Sequence, residues 1–320
     1  MSKPAGLLRA GFPYYRTYGM RRITNFPSDL VVGPSGTLYI LCRGGADAMI
    51  RILSNDDEDM GHIGGFGRGE GQMAGPVAIQ MDDDEKLFVS DEVLHRITVL
   101  NTDGTLGNTW GEHGSGKGQF DRPAGIVLDN ENNIYVVDSF NHRVQKFTKH
   151  GRFISGWGNY GSDQGQFNLP WGITVDDEGD VYVSDWRNDR IQKFGADGEF
   201  IFQFGVSGSG PGELNRPAGV EVDQDGDIFV ADSGNDRVQL FNPEGKYVEK
   251  FVGDATLSRQ GLDYLVNNAV PLRLREMADL EPQKRFKSPK AVRLDEQGLM
   301  YVADTGSYRV QVYRKEAVRL

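Results

Sequence analysis

Short runs of β-branched and aromatic residues recur along the chain with a nearly constant spacing. In one copy they occupy 126–128, 134–137 and 144–147, and Asp, Asn and Gly residues separate them. Such runs between turn-forming residues are typical of short strands joined by tight turns. A fourth run, which ends in an aromatic residue and a glycine, follows at 153–158, 200–205 and 247–253. The pattern therefore predicts units of four strands.

Each unit begins with a proline, and the prolines reveal an internal repeat. They are Pro27, Pro76, Pro123, Pro170, Pro217 and Pro289, and the successive steps are 49, 47, 47, 47 and 72 residues. Four strands per ~47 residues, repeated around a ring, are the signature of a β-propeller. We therefore predict an all-β, six-bladed β-propeller that forms one domain over residues 1–320.

The two ends of the repeat array predict how the ring closes. The last copy continues to Arg314 and lacks a fourth strand, whereas residues 12–19 have the aromatic–glycine form of one. We expect this N-terminal strand to complete the sixth blade, because a closed ring leaves no exposed sheet edges.

The long step of 72 residues predicts an insertion before the last blade. Compared with 47 it leaves 25 additional residues, and residues 257–266 have helical spacing. Pro271 is expected to open a second helix, since proline is favoured in the first helical turn. We predict a helical insertion over 254–288 on the face that carries the channel mouth, as a lid, a docking surface or a passive addition.

Two repeated sequence motifs carry a resemblance to a known family. They are the D-x-x-N-x-R-V/I-Q-x-F motifs that start at Asp138, Asp185 and Asp232, and the G-Q-F-x-x-P motifs that lead to Pro123 and Pro170. On these motifs the chain resembles the NHL-repeat family of six-bladed propellers. Some similar propellers are lyases that bind zinc through Pro-His pairs, and here no repeat proline is followed by His. The resemblance therefore implies the fold and leaves the function open.

The repeated Asp and Arg residues are predicted to be scaffold. An Asp lies fifteen residues after each of five prolines, and an Arg follows five residues later. Because they recur around the ring, we expect the Asp to accept backbone N–H groups and the Arg to pair within or between blades. Cys42 occupies the Asp position of the first copy and is expected to be a core residue.

The residues that vary beside the repeat prolines are the candidate site. In a propeller they surround one channel mouth, where Arg122, Arg216 and Lys290 would make a cationic rim. Such a rim favours a carboxylate, a phosphate or an acidic peptide. Trp171 and Trp186 would add aromatic contact area. The alternative is that the arginines lie in solvent or pair with neighbouring aspartates.

Two histidines add a possible chemistry to this rim. His95 and His142 occupy the same position in neighbouring blades, so they are candidates for a two-histidine metal or acid–base pair, or for separate rim residues. The acidic segment 223–227 is better explained as a hairpin turn than as a calcium loop. We predict no metal site and no cofactor.

Composition and charge narrow the function classes. The 320 residues carry a net charge of −11, which disfavours binding to nucleic acid. The sequence shows no secretory signal and no apolar run of membrane-spanning length, and a cytoplasmic location is expected. We predict a non-catalytic binding or scaffold propeller that recognises a protein segment or a small anionic ligand at the channel mouth. The alternatives are a lyase or hydrolase that uses Arg122, Arg216 and His142, and an RNA-binding NHL module; the oligomeric state is left open.

Overall fold

The computed structural model describes residues 11–316, apart from the side chain of Glu276. Within them the chain forms six four-stranded antiparallel blades around a central channel. The innermost strands are adjacent all the way round, and the first of them contacts the last. The predicted fold class, including the helical insertion before the last blade, is confirmed.

The strands follow the repeat. Blade 1 contains β2 (Pro27–Val32), β3 (Leu38–Gly44), β4 (Asp47–Leu53) and β5 (Asp59–Ile63), and blade 2 contains β6 (Pro76–Met81), β7 (Leu87–Asp91), β8 (Arg96–Leu100) and β9 (Leu106–Trp110). Blade 3 contains β10 (Pro123–Leu128), β11 (Asn133–Asp138), β12 (Arg143–Thr148) and β13 (Phe153–Trp157). Blade 4 contains β14 (Pro170–Val175), β15 (Val181–Asp185), β16 (Arg190–Phe194) and β17 (Phe200–Phe204), and a short parallel pair, β18 (Val206–Ser207) and β19 (Glu213–Leu214), follows it. Blade 5 contains β20 (Pro217–Val222), β21 (Ile228–Asp232), β22 (Arg237–Phe241) and β23 (Tyr247–Phe251).

The sixth blade joins the two ends of the chain. Its inner strands are β24 (Pro289–Leu294), β25 (Leu299–Asp304) and β26 (Arg309–Arg314), and its outer strand is β1 (Tyr14–Tyr18). Tyr14 pairs with Tyr313 and Tyr18 with Val310. The N-terminal closure predicted from the aromatic–glycine pattern is therefore present.

Apolar side chains fill the spaces between blades. The crossing loop that leaves each of the first five blades places one apolar residue there, and each is at most 3% exposed: Met73, Phe120, Phe167, Leu214 and Phe286. Phe120, for example, packs against Trp110 and Phe147, which belong to two successive blades. Each such burial contributes about 1.5–3 kcal/mol, so neighbouring blades stabilise each other.

A buried polar network fastens each crossing loop to the blade that follows it. In blade 3, Asp138 accepts the backbone N–H of Asp121 at 2.7 Å and the side-chain donors of Asn141, Arg143 and Gln145 at 2.8–3.0 Å. The Arg143 guanidinium also donates to three carbonyl groups of the crossing loop, so the buried carboxylate is fully paired. The same wiring recurs in full at Asp185 and Asp232, whereas Asp304 lacks the Asn donor and Arg309 donates to one loop carbonyl. These residues are the scaffold that the repeat predicted.

The first two blades depart from this wiring. Asp91 accepts four backbone N–H groups, and Arg96 donates only to the carbonyls of Gly69 and Gln72. Cys42 stands in the Asp position of blade 1 and is 1% exposed. Burial raises the pKa of its thiol to about 12, so it is an inert core residue.

Three helices make up the insertion: α1 (Arg259–Val266), α2 (Ala269–Glu276) and α3 (Glu281–Lys284). The Ser258 hydroxyl caps α1 by accepting the N–H of Gly261 at 3.1 Å. α2 begins at Ala269, two residues before the predicted Pro271. Gln260 ties α1 to Asp57 of blade 1 through a backbone and a side-chain hydrogen bond. Among residues 11–316, no helix is long and apolar enough to cross a membrane.

An ion cluster lies across the channel. The Arg293 guanidinium donates to both carboxylate oxygens of Asp29 at 2.8 and 2.6 Å and to Glu221 at 3.0 Å. Arg293 lines a cavity on each side of this cluster, one towards the mouth and one of about 500 Å³ on the opposite face. Burial raises the pKa of Glu221 to about 7, although Arg293 opposes this rise.

The acidic turn at 223–227 is a hairpin turn, as the sequence analysis favoured. Its backbone closes by hydrogen bonds between Asp223 and Asp227 and from Gly226 to Asp223. The Lys315 ammonium contacts the carboxylates of Asp223, Asp225 and Asp227, so a lysine from the sixth blade occupies the centre of the acidic turn.

The polar network predicts unequal costs for the same substitution in two blades. Arg237→Ala leaves the fully buried Asp232 without its cation and frees three loop carbonyls, so it should lower the free energy of unfolding by about 3 kcal/mol. Arg96→Ala removes two hydrogen bonds and should cost about 1 kcal/mol. Urea unfolding measures both, with the exposed Arg68→Ala as the control. Equal losses in the two blades would contradict this interpretation.

The raised pKa of Glu221 predicts a pH-dependent stability. The folded protein holds the Glu221 proton up to about pH 7 and the unfolded chain releases it near the ordinary value of 4.5. Between those values the folded state binds more protons, so stability falls as the pH rises. The free energy of unfolding of the wild type minus that of Glu221→Gln should therefore decrease from pH 5 to pH 7.5. The exposed Glu244→Gln controls for loss of a charge, and a difference that rises with pH would show that Glu221 is ionised at pH 5.

Candidate functional site

The residues before the repeat prolines are held in an unusual backbone conformation at the channel mouth. Five of them have left-handed φ values of 49–53°: Phe26, Arg122, Leu169, Arg216 and Ser288. This region is sparsely populated by residues other than glycine, and a following proline restricts it further. Strain of this kind clusters at functional sites, so the mouth is the place to look for one.

Each of four left-handed rim residues is fixed by a side chain of the preceding blade. Arg122 and Leu169 donate their backbone N–H groups to the Nδ1 atoms of His95 and His142, at 3.2 and 3.1 Å. Arg216 and Ser288 donate in the same way to Asp189 and Asp236, at 2.7 Å in both cases. The two histidines therefore act as hydrogen-bond acceptors in a position that aspartate fills elsewhere.

The structure does not bring His95 and His142 together. His142 packs against Tyr160 with ring centroids 4.9 Å apart, and His95 packs against His113 at 4.5 Å. Within residues 11–316, neither a hydrogen bond nor a ring contact joins the two predicted partners. Each is occupied at its own blade interface, so they do not form the two-histidine pair that we considered.

A pocket of about 220 Å³ lies at the centre of the mouth. Its lining residues are Phe26, Ser28, Arg43, Val77, Trp171, Lys290 and Thr305. Trp171 and Lys290 also line the narrow cavity of about 30 Å³ that continues from there towards Arg293. Two of the predicted ligand-binding residues therefore share one pocket, which the ion cluster closes from below.

Positive charge converges on this pocket. Burial lowers the pKa of the Lys290 ammonium, and the nearby guanidinium groups of Arg43 and Arg216 lower it further. Arg43 forms an ion pair with Glu92 and lies 5.6 Å from the centre of the Trp171 ring. Lys290 itself has no carboxylate partner among the residues that the structure describes. The pocket thus holds a partly buried cation that lacks a counter-charge.

The other predicted rim residues lie around the pocket without lining it. The Arg216 guanidinium stacks 5.2 Å from the centre of the Trp186 ring, so Trp186 supports an arginine there. The Arg122 guanidinium lies 4.3 Å from the centre of the Phe140 ring, which belongs to blade 3. These cation–π contacts hold the two arginines in place at the rim.

Arg43 is the site residue that the sequence analysis missed. It follows Cys42, and it therefore occupies the position of Glu92, Trp186 and Thr305, which follow the framework Asp of their blades. Because the first repeat has Cys42 in place of the Asp and has lost the register of the Arg, the loop after Cys42 does not align with the corresponding loops of the other copies. Alignment on Cys42 alone would have found Arg43.

A groove of about 860 Å³ adjoins the mouth pocket and shares Phe26 with it. One wall is formed by Arg21, Arg22 and Ile23, and α1 contributes Gln260 and Tyr264. The helices beside it expose an unusual number of large apolar side chains, each 39–78% exposed: Leu262, Tyr264, Val266, Val270, Leu272, Leu274 and Met277. Exposed apolar surface gathered in one short segment is typical of interaction sites.

Comparison with known proteins bears on the fold. Residues 120–147, 167–194 and 214–241 match the NHL repeat. No curated protein sequence matches the chain. The structure is similar to a catalytically inactive virginiamycin B lyase from Staphylococcus aureus, solved with quinupristin, at 12% identity and a TM-score of 0.60 over 96% of this chain and 87% of that one.

Two further solved structures give the same result. A streptogramin B lyase is 13% identical, with a TM-score of 0.58 over 90% of this chain and 78% of that one. A protein of unknown function from Bacteroides thetaiotaomicron is 18% identical, with a TM-score of 0.62 over 96% of this chain and 73% of that one. At such identities the likeness concerns the fold alone. The chain is therefore a six-bladed β-propeller that carries three NHL repeats and shares its fold with these structural neighbours.

Proposed function

We propose that this protein is a non-catalytic binding propeller that holds a carboxylate group in the channel-mouth pocket, with an acidic protein segment as the favoured ligand. NHL propellers include both binding modules and enzymes, so the fold is compatible with this role. The observation that carries the proposal is the partly buried Lys290 ammonium, which lies beside Arg43 and Arg216 and has no carboxylate partner among the described residues. We propose the cytoplasm as its location.

The electrostatics of the pocket favour an anionic ligand. Partial burial of a cation that lacks a partner costs free energy, and an incoming carboxylate relieves that cost through charge-assisted hydrogen bonds. The low pKa of Lys290 reflects this missing partner, because burial and two like charges both oppose its ionisation. A bound carboxylate would raise that pKa again.

The size and walls of the pocket suit one acidic side chain. A cavity of about 220 Å³ accommodates a carboxylate with a few carbon atoms. Phe26, Val77 and Trp171 supply apolar and aromatic walls for those carbons. Since Arg293 and its partners lie below, a ligand has only the mouth side from which to approach.

The adjoining groove supports a protein segment over a free small acid. A chain that lies in the groove would reach the mouth pocket at Phe26. Its apolar residues would cover the exposed side chains of α1 and α2, and its acidic residues would face Arg21 and Arg22. The proposed role of the insertion is therefore to widen the docking surface at the mouth.

The two alternatives have less support. None of Arg122, Arg216 and His142 lines the mouth pocket, and Nδ1 of His142 already accepts a backbone hydrogen bond. An enzyme that acts through those three residues would need them in a common cavity. The charge of −11 disfavours RNA.

Carboxylate binding should depend on Lys290. A decapeptide with one central Glu between Leu and Phe residues should bind the wild type, and Lys290→Met should weaken it at least tenfold, because the methionine keeps the volume and removes the charge. Two controls test the carboxylate itself: the matched peptide with Gln in place of Glu, and phenylacetamide compared with phenylacetate. The exposed Lys250→Met controls for the loss of a positive charge. Isothermal titration calorimetry measures each affinity, and equal binding by wild type and Lys290→Met would refute the proposal.

The same substitution should stabilise the unliganded protein. Lys290→Met removes a partly buried cation that faces two like charges, so the free energy of unfolding at pH 7 should rise, by up to about 1 kcal/mol. Lys250→Met, on the exposed outer strand of blade 5, should change it by less than about 0.5 kcal/mol. Thermal and urea unfolding test this expectation. A clear loss of stability in Lys290→Met would show that the ammonium has a partner inside the fold.

A further inference from the structure

We propose that His95, His113 and Asp121 bind a divalent transition-metal ion such as Zn²⁺ where the loops of blades 2 and 3 meet. One ligand atom from each residue lies within 4.8 Å of the other two. Nδ1 of His95 is 3.7 Å from the Asp121 carboxylate, and Nε2 of His113 is 3.8 Å from it. This site is separate from the mouth pocket, whose lining includes none of the three residues.

The donor set selects the class of metal. Two imidazoles and one carboxylate suit Zn²⁺ and its transition-metal neighbours, whereas Mg²⁺ and Ca²⁺ prefer oxygen ligands. With metal–ligand bonds of about 2.0–2.2 Å, ligand atoms around one ion stand roughly 3.0–3.6 Å apart. A small side-chain rotation is therefore enough to bring the three ligand atoms to these distances. His113 and Asp121 have room to rotate, because their side chains are 68% and 33% exposed.

Nδ1 of His95 is already unprotonated, because it accepts the backbone N–H of Arg122. A ring nitrogen with a lone pair is the form that binds a metal. The ion competes with the 3.2 Å hydrogen bond that Nδ1 now accepts from the backbone of Arg122.

The internal repeat shows that the framework does not require the ligand atoms of His113 and Asp121. A shift of 47 residues maps the set onto His142, Tyr160 and Asn168, and a second shift maps it onto Asp189, Ser207 and Asn215. The first residue of each set fixes the next rim residue, as described above. The third donates its backbone N–H to the framework Asp at 2.7 Å, whatever its side chain. The imidazole of His113 and the carboxylate of Asp121 are therefore additions to the scaffold.

The neighbouring blade supplies matched substitutions. His113→Tyr and Asp121→Asn install the residue types that the next interface already carries, so the fold is preserved. Calorimetric titration of the full chain with ZnCl₂ at pH 7.5 should give one ion per chain for the wild type and at least tenfold weaker binding for each variant. Titration with Co²⁺ should give visible absorption bands that both variants lose.

The converse experiment builds the site one blade further on. Tyr160→His combined with Asn168→Asp, beside the existing His142, should raise the stoichiometry from one zinc ion to two. The proposal is overturned if the wild type binds no zinc, if His113→Tyr and Asp121→Asn bind it as tightly as the wild type, or if the double variant stays at one ion per chain. Peptide binding at the mouth pocket should be unchanged in His113→Tyr, which separates this test from that of the proposed function.

Discussion

The pairing of one buried aspartate with the crossing loop before it is the interaction on which the ring depends. Asp138 and its counterparts receive a loop N–H on one side and an Arg and a Gln from the third strand on the other. A buried carboxylate is tolerable only when every partner is in place. The network therefore fixes the distance and angle between successive blades, and the apolar residues of the crossing loops fill the space so defined.

This dependence explains why the sequence predicts the fold so well. The network needs the same residue types at the same spacing in blades 3 to 6, so the requirements of blade assembly appear in the sequence as a repeat of about 47 residues. The closing strand could be recognised for the same reason, since Tyr14–Tyr18 obeys the pattern of an outer strand. The start of α2 was less predictable, because an exposed helix that contacts few neighbours is constrained mainly by weak local preferences.

The candidate site was only partly predictable, and the residues show why. Lys290 and Trp171 were found because their blades keep the repeat, whereas Arg43 was missed because blade 1 has lost it. His95 and His142 drew attention through their chemistry, yet their shared position asks only for a hydrogen-bond acceptor, which Asp189 and Asp236 also provide. The contact of His95 with His113 spans the two outer strands of blade 2, and nothing in the sequence singles out His113, because its counterparts in the next two blades are Tyr160 and Ser207.

The tight packing of the inner strands has a consequence for access. A Cβ atom on Gly172 would stand 2.1 Å from the carbonyl oxygen of Ala218. The adjacent inner strands β14 and β20 therefore leave no space for a side chain between them at this point. Together with the Arg293 cluster, this divides the axis into two compartments that open on opposite faces of the disc. A molecule that enters one compartment therefore leaves through the same face. The second compartment, of about 500 Å³ and bordered by Glu221, is open to a ligand that never contacts the mouth pocket.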